Sequence, residues 1–308
     1  MNNLTGKIML AITAALGVFS LGYVILVNAG GRAAPEPQRP ETEKYICQEP
    51  SEARQEPEKS PEPFKLLICG LDNSKSLTDV IIVAKVDMQN GCMNMLQIPR
   101  DTYVGEGYAT GKINAVYSAD GIEGLQELIA ERFGVGTERY VAVTLETFRN
   151  IVDDLGGVEL DVPQRIVFTR DRIVEEGRQT LDGERAEWFV RYRAGYALAD
   201  IGRLGAQELF LRALAETVGK KSGAELALIA GRRMGELKTD FTLAELLELA
   251  SGFSGGREGP AIKINAKIVP GEGMMHGGFA VYMPYEEQTR EIIAEIFEDK
   301  PVYGAGED

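Results

Sequence analysis

The twenty residues Ile8–Val27, IMLAITAALGVFSLGYVILV, contain no charged side chain. In a helix rising 1.5 Å per residue, such a run covers about the 30 Å hydrocarbon core of a bilayer. Two fates are open to it: a membrane span, or a signal peptide that is removed. Val27-Asn28-Ala29 is a poor cleavage site and the run is longer than a usual signal-peptide core, so the segment reads as an uncleaved anchor. Lys7 and the terminal amine precede it, and Arg32 and a largely acidic stretch follow. The bias of basic residues toward the cytoplasmic side then places residues 1–7 in the cytoplasm, a transmembrane helix over 8–29, and everything after it outside. The expected localisation is the cell membrane, single-pass, with an extracytoplasmic domain.

Residues 30–63 read as a stalk. Ala33–Pro63 repeats Pro and Glu, as in PEPQRPE and EPEKSPEPF, with almost no aliphatic side chains. Such text cannot bury enough apolar surface to offset its ordering entropy, and Pro stiffens it into a spacer. The remainder, 64–308, is 245 residues long, enough for one large domain. The formal net charge of the whole chain is −14, which argues against a general nucleic-acid-binding surface. Any anion site must be a local cluster of Arg. The cysteines are Cys47, Cys69 and Cys92, and the one histidine is His276, so no zinc-ligand pattern exists. Cys69 and Cys92 lie in strand-like text and read as core residues rather than as a disulfide pair. Cys47 lies in the stalk, as a free or modified thiol.

From Phe64 the chain alternates apolar runs with helical text. FKLLIC, Asp79–Asp87 and Met93–Ile98 read as strands, the last stopped by Pro99, and Asn90-Gly91 marks a hairpin turn between the second and third. Gly121–Phe133 is an amphipathic helix. A strand over Tyr140–Val143 and a helix over Leu145–Leu155, ending at Gly156-Gly157, follow. Val158–Val162 is a strand, Ala199–Val218 a long helix, Gly223–Leu237 and Leu243–Ser251 helices, Ile262–Val269 a strand and Glu286–Phe297 a final helix. The expected fold is α/β, a layered mixed β-sheet flanked by helices.

Three places offer chemistry. Asp72 follows the first strand and Asp79 opens the second, so both acids fall at one end of the sheet, where α/β proteins bind ligands. Two carboxylates there suit a hard cation such as Mg²⁺, although Asp72 equally reads as a turn cap and Asp79 as a strand start. Arg100, after Ile98-Pro99, projects near a loop and alone reads as a surface ion pair. Arg191 and Arg193, two apart in RYR, face one way if the segment is extended. Asp200, Arg203 and Gln207 share one stripe of a helix. Converging Arg in an acidic protein is what a phosphate or pyrophosphate site needs, because each guanidinium offers forked donors. The plainer reading is a solvated helix face with an Asp200–Arg203 pair. Gly111-Lys112 is not a nucleotide loop, since Glu106 stands in place of the first Gly and Ile113 in place of Ser or Thr. His276, in GMMHGGF, reads as structural.

Taken in order, LLICGLD, TDVIIVAKVD, IPRDTYV, KINAVYSADG, FRNIVDDLGGVELDVP, LDGERA and RYR through DIGRLGAQ resemble the LytR–CpsA–Psr family of cell-wall enzymes. The likeness is strongest over 64–218. It implies transfer of an anionic glycopolymer, such as teichoic acid or capsule, from a polyprenyl-pyrophosphate carrier to peptidoglycan through a phosphodiester link. It implies Mg²⁺ as cofactor, a lipid tunnel inside the domain, and no nucleic-acid partner. By position, Asp72 and Asp79 resemble the metal-side carboxylates. Arg100, Arg191, Arg193 and Arg203 resemble pyrophosphate ligands, with Asp200 and Gln207 orienting them. Asp101 and Asp72 are the candidate general bases, so the expected catalytic set is Arg100, Asp101, Arg191, Arg193, Asp200 and Arg203. Two positions depart from the family: Leu77 and Ala206 stand where Arg is usual. They leave two alternatives in view, a non-catalytic polyprenyl-phosphate- or glycan-binding regulator and a pyrophosphate hydrolase.

Overall fold

The computed structural model describes residues 4–6, 62–72, 74–87, 92–192, 209–214, 216–251 and 263–297. The expected membrane helix and most of the stalk lie outside these, as do Cys47, Arg193, Asp200, Arg203, Ala206 and Gln207. Among the described residues no helix is long and apolar enough to cross a membrane. In chain order the elements are β1 (Leu4–Gly6), β2 (Phe64–Leu71), β3 (Thr78–Asp87), β4 (Cys92–Ile98), α1 (Val116–Phe133), β5 (Arg139–Thr144), α2 (Leu145–Asp154) and β6 (Val158–Val162). There follow β7 (Ile166–Thr169), β8 (Arg172–Val174), β9 (Gly177–Leu181), α3 (Gly183–Arg191), α4 (Gly223–Arg233) and β10 (Lys238–Thr239). The last are α5 (Leu243–Leu249), β11 (Ala250–Ser251), β12 (Lys263–Ile268), β13 (Gly271–His276), β14 (Phe279–Pro284) and α6 (Glu286–Phe297).

Six strands form a mixed sheet in the order β10-β5-β2-β3-β4-β12. β2 runs parallel to β5, and β4 parallel to β12; β3 is antiparallel to both its neighbours. Leu66, Ile68, Ile82 and Met95 point to one face, beneath Phe148 of α2, Phe189 of α3 and Ile229 of α4. Leu67, Cys69, Ile81, Val83 and Leu96 point to the other, beneath Leu125 of α1 and Ile296 of α6. Burial on both faces is why these strands read as continuous apolar runs rather than as alternating ones.

The register fixes the poles of the sheet. Phe64 lies opposite Val86, and Val86 opposite Met93, so β2 and β4 begin at the same end. Leu71 lies opposite Thr78, and Ile81 opposite Ile98, at the other end. Asp72 and Asp79 fall there, as the sequence predicts, and the register adds Arg100 to them.

Caps set the helix starts. Thr144 accepts from Thr147 N–H at 3.1 Å, Asp182 from Arg185 N–H at 2.8 Å, and Ser222 forms a capping box with Glu225. Gly156 and Gly157 close α2 with φ of 82° and 86°, and a Cβ on Gly157 would sit 2.9 Å from the Leu181 carbonyl oxygen. Glycine is required there on both counts. α1 begins five residues before the predicted start and breaks at Gly121, where φ is 74° and ψ −162°.

Several expectations are corrected. Cys69 is a buried free thiol, but Cys92 is disulfide-bonded rather than a plain core residue. The helix predicted over Gly223–Leu237 is α-helical to Arg233 and continues as a 3-10 turn over Met234–Glu236, after which Lys238–Thr239 pairs with β5 at the sheet edge. The ribbons β6–β9, β7–β8 and β13–β14 are additional to the predicted elements except for β6. β1 pairs with β11.

Candidate functional site

Asp72 ends the first strand and organises the turn that follows. Its carboxylate accepts from the Ser74 hydroxyl at 2.5 Å and from the backbone N–H groups of Ser76 at 2.9 Å and Leu77 at 3.0 Å. Partial burial pushes its pKa up, but these hydrogen bonds outweigh it and hold the carboxyl below its ordinary value. A carboxylate with a depressed folded-state pKa stabilises the fold above its unfolded pKa, about 4, and loses that contribution as pH falls through the lower folded value. Asp72→Asn should therefore lower stability near pH 7, and its difference from the parent should shrink in acid. Urea unfolding at a series of pH values, without divalent cations, checks this; a difference that does not change with pH rules it out.

Asp79 lies across the turn. Arg100 Nη1 donates to its Oδ1 at 2.5 Å. The IPRD segment is bound to the KINA segment by backbone hydrogen bonds, from Ile113 N–H to the Thr102 carbonyl at 2.9 Å and from Asn114 N–H to the Arg100 carbonyl at 3.1 Å. This brings Lys112 Nζ to 2.8 Å from Asp101 Oδ1. Arg100 Nε stands 3.6 Å from Asp101 Oδ2. Asp101 is only 3% exposed, Arg100 and Lys112 13% each, and among the described residues none donates a hydrogen bond to Asp101 Oδ2. From the other side, Tyr282 of β14 donates its N–H to the Asp101 carbonyl at 2.8 Å and accepts from Tyr103 N–H at 2.8 Å. His276 packs its ring 4.5 Å from that of Tyr103, in agreement with a structural role.

Arg191 departs from expectation. It is the last residue of α3, not part of an extended pair with Arg193, because Asp182 caps a helix whose Ala186, Phe189 and Val190 enter the core. Tyr192, beyond it, is extended and buried. The Arg191 guanidinium pairs with Glu187, one turn back, and lies 5.8 Å from the centre of the Phe168 ring. Arg149 reaches the other oxygen of Glu187 at 3.1 Å.

The structure thus joins Asp79, Arg100, Asp101 and Lys112 in one network at the sheet end, with Asp72 on the adjoining turn and Arg191 on the helical layer that covers one face. Lys112 and Glu187 were not singled out from the sequence. Lys112 had a signal, its place at the head of the KINA motif; Glu187 had none. Among the described residues no group of three or more His, Cys, Asp or Glu gathers as a metal site. Asp72 and Asp79 supply hard oxygen donors on neighbouring segments of the same sheet end, a donor set chemically suited to Mg²⁺.

A mixed sheet covered by helices on both faces, with a part-buried cluster of carboxylates and cations at one end, defines a layered α/β domain with one charged pole. The chain belongs to the LytR_cpsA_psr family, whose model matches residues 36–298. It is 31% identical over 215 residues to the polyisoprenyl-teichoic acid–peptidoglycan teichoic acid transferase TagV of Bacillus subtilis, an alignment covering 63% of this chain and 54% of that protein. The chain therefore spans about half the length of that relative. To the transferase of the same description, TagU, of Oceanobacillus iheyensis it is 27% identical over 252 residues, covering 77% and 76% of the two chains. The crystal structure of B. subtilis TagV superposes with a TM-score of 0.63 at 27% identity, over 79% of this chain and 100% of that one.

Proposed function

We propose that this protein transfers an anionic glycopolymer, of teichoic acid or capsular type, from a polyprenyl-pyrophosphate carrier to a peptidoglycan hydroxyl. The observation that carries the reading is the Asp79–Arg100–Asp101–Lys112 network at the sheet end, in a chain aligned with proteins named as teichoic acid transferases. In the reaction the acceptor oxygen bonds to the phosphorus that bears the glycan. The bridging P–O bond breaks, polyprenyl phosphate leaves with the electron pair, and the hydroxyl proton passes to Asp72, the less buried of the two candidate bases. Arg100 binds pyrophosphate oxygens as charge develops, the task of preorganised donors in phosphoryl transfer. Asp101 is too buried to meet a hydroxyl and acts by holding Arg100 and Lys112 in place. Arg191, set by Glu187, and Arg193 and Arg203 add cationic donors, with Asp200 and Gln207 orienting them. Asp72 and Asp79 would hold Mg²⁺, which when bound neutralises pyrophosphate charge.

The test incubates the full chain in detergent with Mg²⁺, a polyprenyl-pyrophosphate-linked anionic saccharide and peptidoglycan oligomers. Mass spectrometry should find a phosphodiester-linked product. Free phosphorylated glycan would make the protein a hydrolase, and tight donor binding without turnover would make it a regulator. The absence of an Arg at Leu77 favours the regulator as second reading, since Leu77 brings backbone groups rather than a guanidinium to the turn, its N–H to the Asp72 carboxylate and its carbonyl to the Asp72 N–H.

We also propose the anchored, extracytoplasmic arrangement. The disulfide at Cys92 supports it, because disulfides persist in oxidising compartments. The β1–β11 pairing seats Leu4–Gly6 against Ala250–Ser251, so the anchored arrangement requires that ribbon to open when the amino-terminal segment inserts. An amino-terminal epitope should resist protease added to intact protoplasts while the domain is digested; digestion of both would reject the cytoplasmic amino terminus.

A further inference from the structure

A cavity of about 580 Å³ opens beside the Asp72–Leu77 turn, between α1 and the sheet edge. Two lysines line it, Lys75 on the turn and Lys238 on β10, together with Tyr117 and Glu123 of α1 and Tyr140 of β5. Their placement is built rather than incidental. Lys238 Nζ donates to the Tyr117 hydroxyl at 2.8 Å and lies 5.4 Å from the centre of the same ring, so its charge is held at the wall. Lys75 is the one described non-glycine residue with positive φ, 59°, and its N–H donates to the Asp72 carbonyl at 2.9 Å. A left-handed lysine where glycine would be free of strain indicates that the side chain is wanted there. Burial pushes the Tyr140 phenol above its ordinary pKa, with Asp240 and Glu123 adding to the effect, so it stays a neutral donor. Glu123 opposes one of the two ammonium charges and leaves the wall with a single net positive charge.

We propose that this cavity is a subsite for an anionic saccharide unit, its phosphate or carboxylate between Lys75 and Lys238 and its hydroxyls on Tyr140 and Glu123. Tyrosines and a few convergent polar groups in a concave site are the usual means of orienting such a ligand. The proposal rests on the transfer reading for its biological meaning: Lys75 is three residues from Asp72, and Tyr117 five from Lys112, so the cavity adjoins the proposed reaction centre. The unit belongs either to the donor, as a phosphodiester-linked polyol, or to the acceptor, as a muramyl sugar with its carboxylate.

Two soluble probes separate these sources: a glycerol phosphate oligomer and a muramyl disaccharide with a free carboxylate. Each is titrated by calorimetry into the full chain in detergent, with Lys75→Gly and Lys238→Met as variants. Lys75→Gly removes the ammonium while relieving the left-handed backbone, so it should keep or raise the thermal midpoint. Each variant should weaken one probe by about tenfold, equivalent to about 1.4 kcal/mol. The probe that weakens identifies the source, and a neutral N-acetylglucosamine oligomer should bind the variants and the parent alike. Equal affinities of parent and both variants for both anionic probes would overturn the subsite. Because the readout is binding, charge-dependent affinity without transfer would leave the subsite standing and remove the transferase reading. Transfer with unchanged affinities would do the reverse.

Discussion

Arg100→Ala should slow glycopolymer transfer by about a hundred- to a thousandfold, the usual cost of losing one preorganised donor to a developing anion. The side chain is largely buried at the sheet end, paired with Asp79 and close to Asp101, so its guanidinium is positioned before substrate arrives. Arg100→Lys should recover only part of the rate, because an ammonium keeps the charge but loses the fork that meets two oxygens at once. Single-turnover transfer followed by mass spectrometry measures both variants. An Arg100→Ala rate equal to the parent's would remove Arg100 from the reaction, and with it the assignment of the sheet end as the site.

The second large effect is on stability. Lys112 makes the 2.8 Å ion pair with Asp101, a carboxylate almost without solvent contact. Lys112→Ala leaves that charge poorly compensated, and breaking a buried pair from one side costs about 3–5 kcal/mol. In a domain of this size that lowers the thermal midpoint by on the order of 10 °C. Removing both charges, in Lys112→Met with Asp101→Asn, should recover much of the loss, since the penalty lies in the orphaned carboxylate rather than in the pair itself. Calorimetry on the two single variants and the double variant decides it. Simple additivity of the single losses would show that Asp101 is not held through Lys112.

The central strands were legible for one physical reason. Both faces of the sheet are covered, so Leu66–Cys69 and Val80–Val83 carry apolar side chains at every position and no helical period competes. The sheet-end placement of the two acids was legible too, because Asp72 directly follows the first apolar run and Asp79 opens the second, and Pro99 marks the strand end that delivers Arg100. Arg191 was misread since RYR imitates an alternating strand; the Asp182 cap nine residues before the end of the helix was the stronger signal and was not weighed. Lys112 and Glu187 declare themselves only through partners, Asp101 and the Arg149–Arg191 pair, that tertiary contacts supply. β7 and β8 are short and β13 is largely exposed, so none of the three leaves a long apolar or alternating run, whereas the apolar run Phe279–Pro284 of β14 was readable and was not read. The remaining pyrophosphate-side residues, Arg193, Asp200, Arg203 and Gln207, lie outside the described residues and stay with the proposal.

The register of β2 and β4 also bears on orientation. β2 begins at Phe64, at the pole where Cys92 sits, whereas Arg100 and the two acids occupy the opposite pole, eight strand residues away, or about 26 Å. In the anchored arrangement proposed above, a domain on a short leash would point that far pole at the wall and its near pole at a lipid-borne donor. A Pro-rich spacer of roughly thirty residues would reach on the order of 100 Å if extended, enough for the domain to turn over and present either pole to the membrane. On that proposal, the leash length would let one site collect its cargo at the bilayer and deliver it outward, by capsizing rather than by travelling.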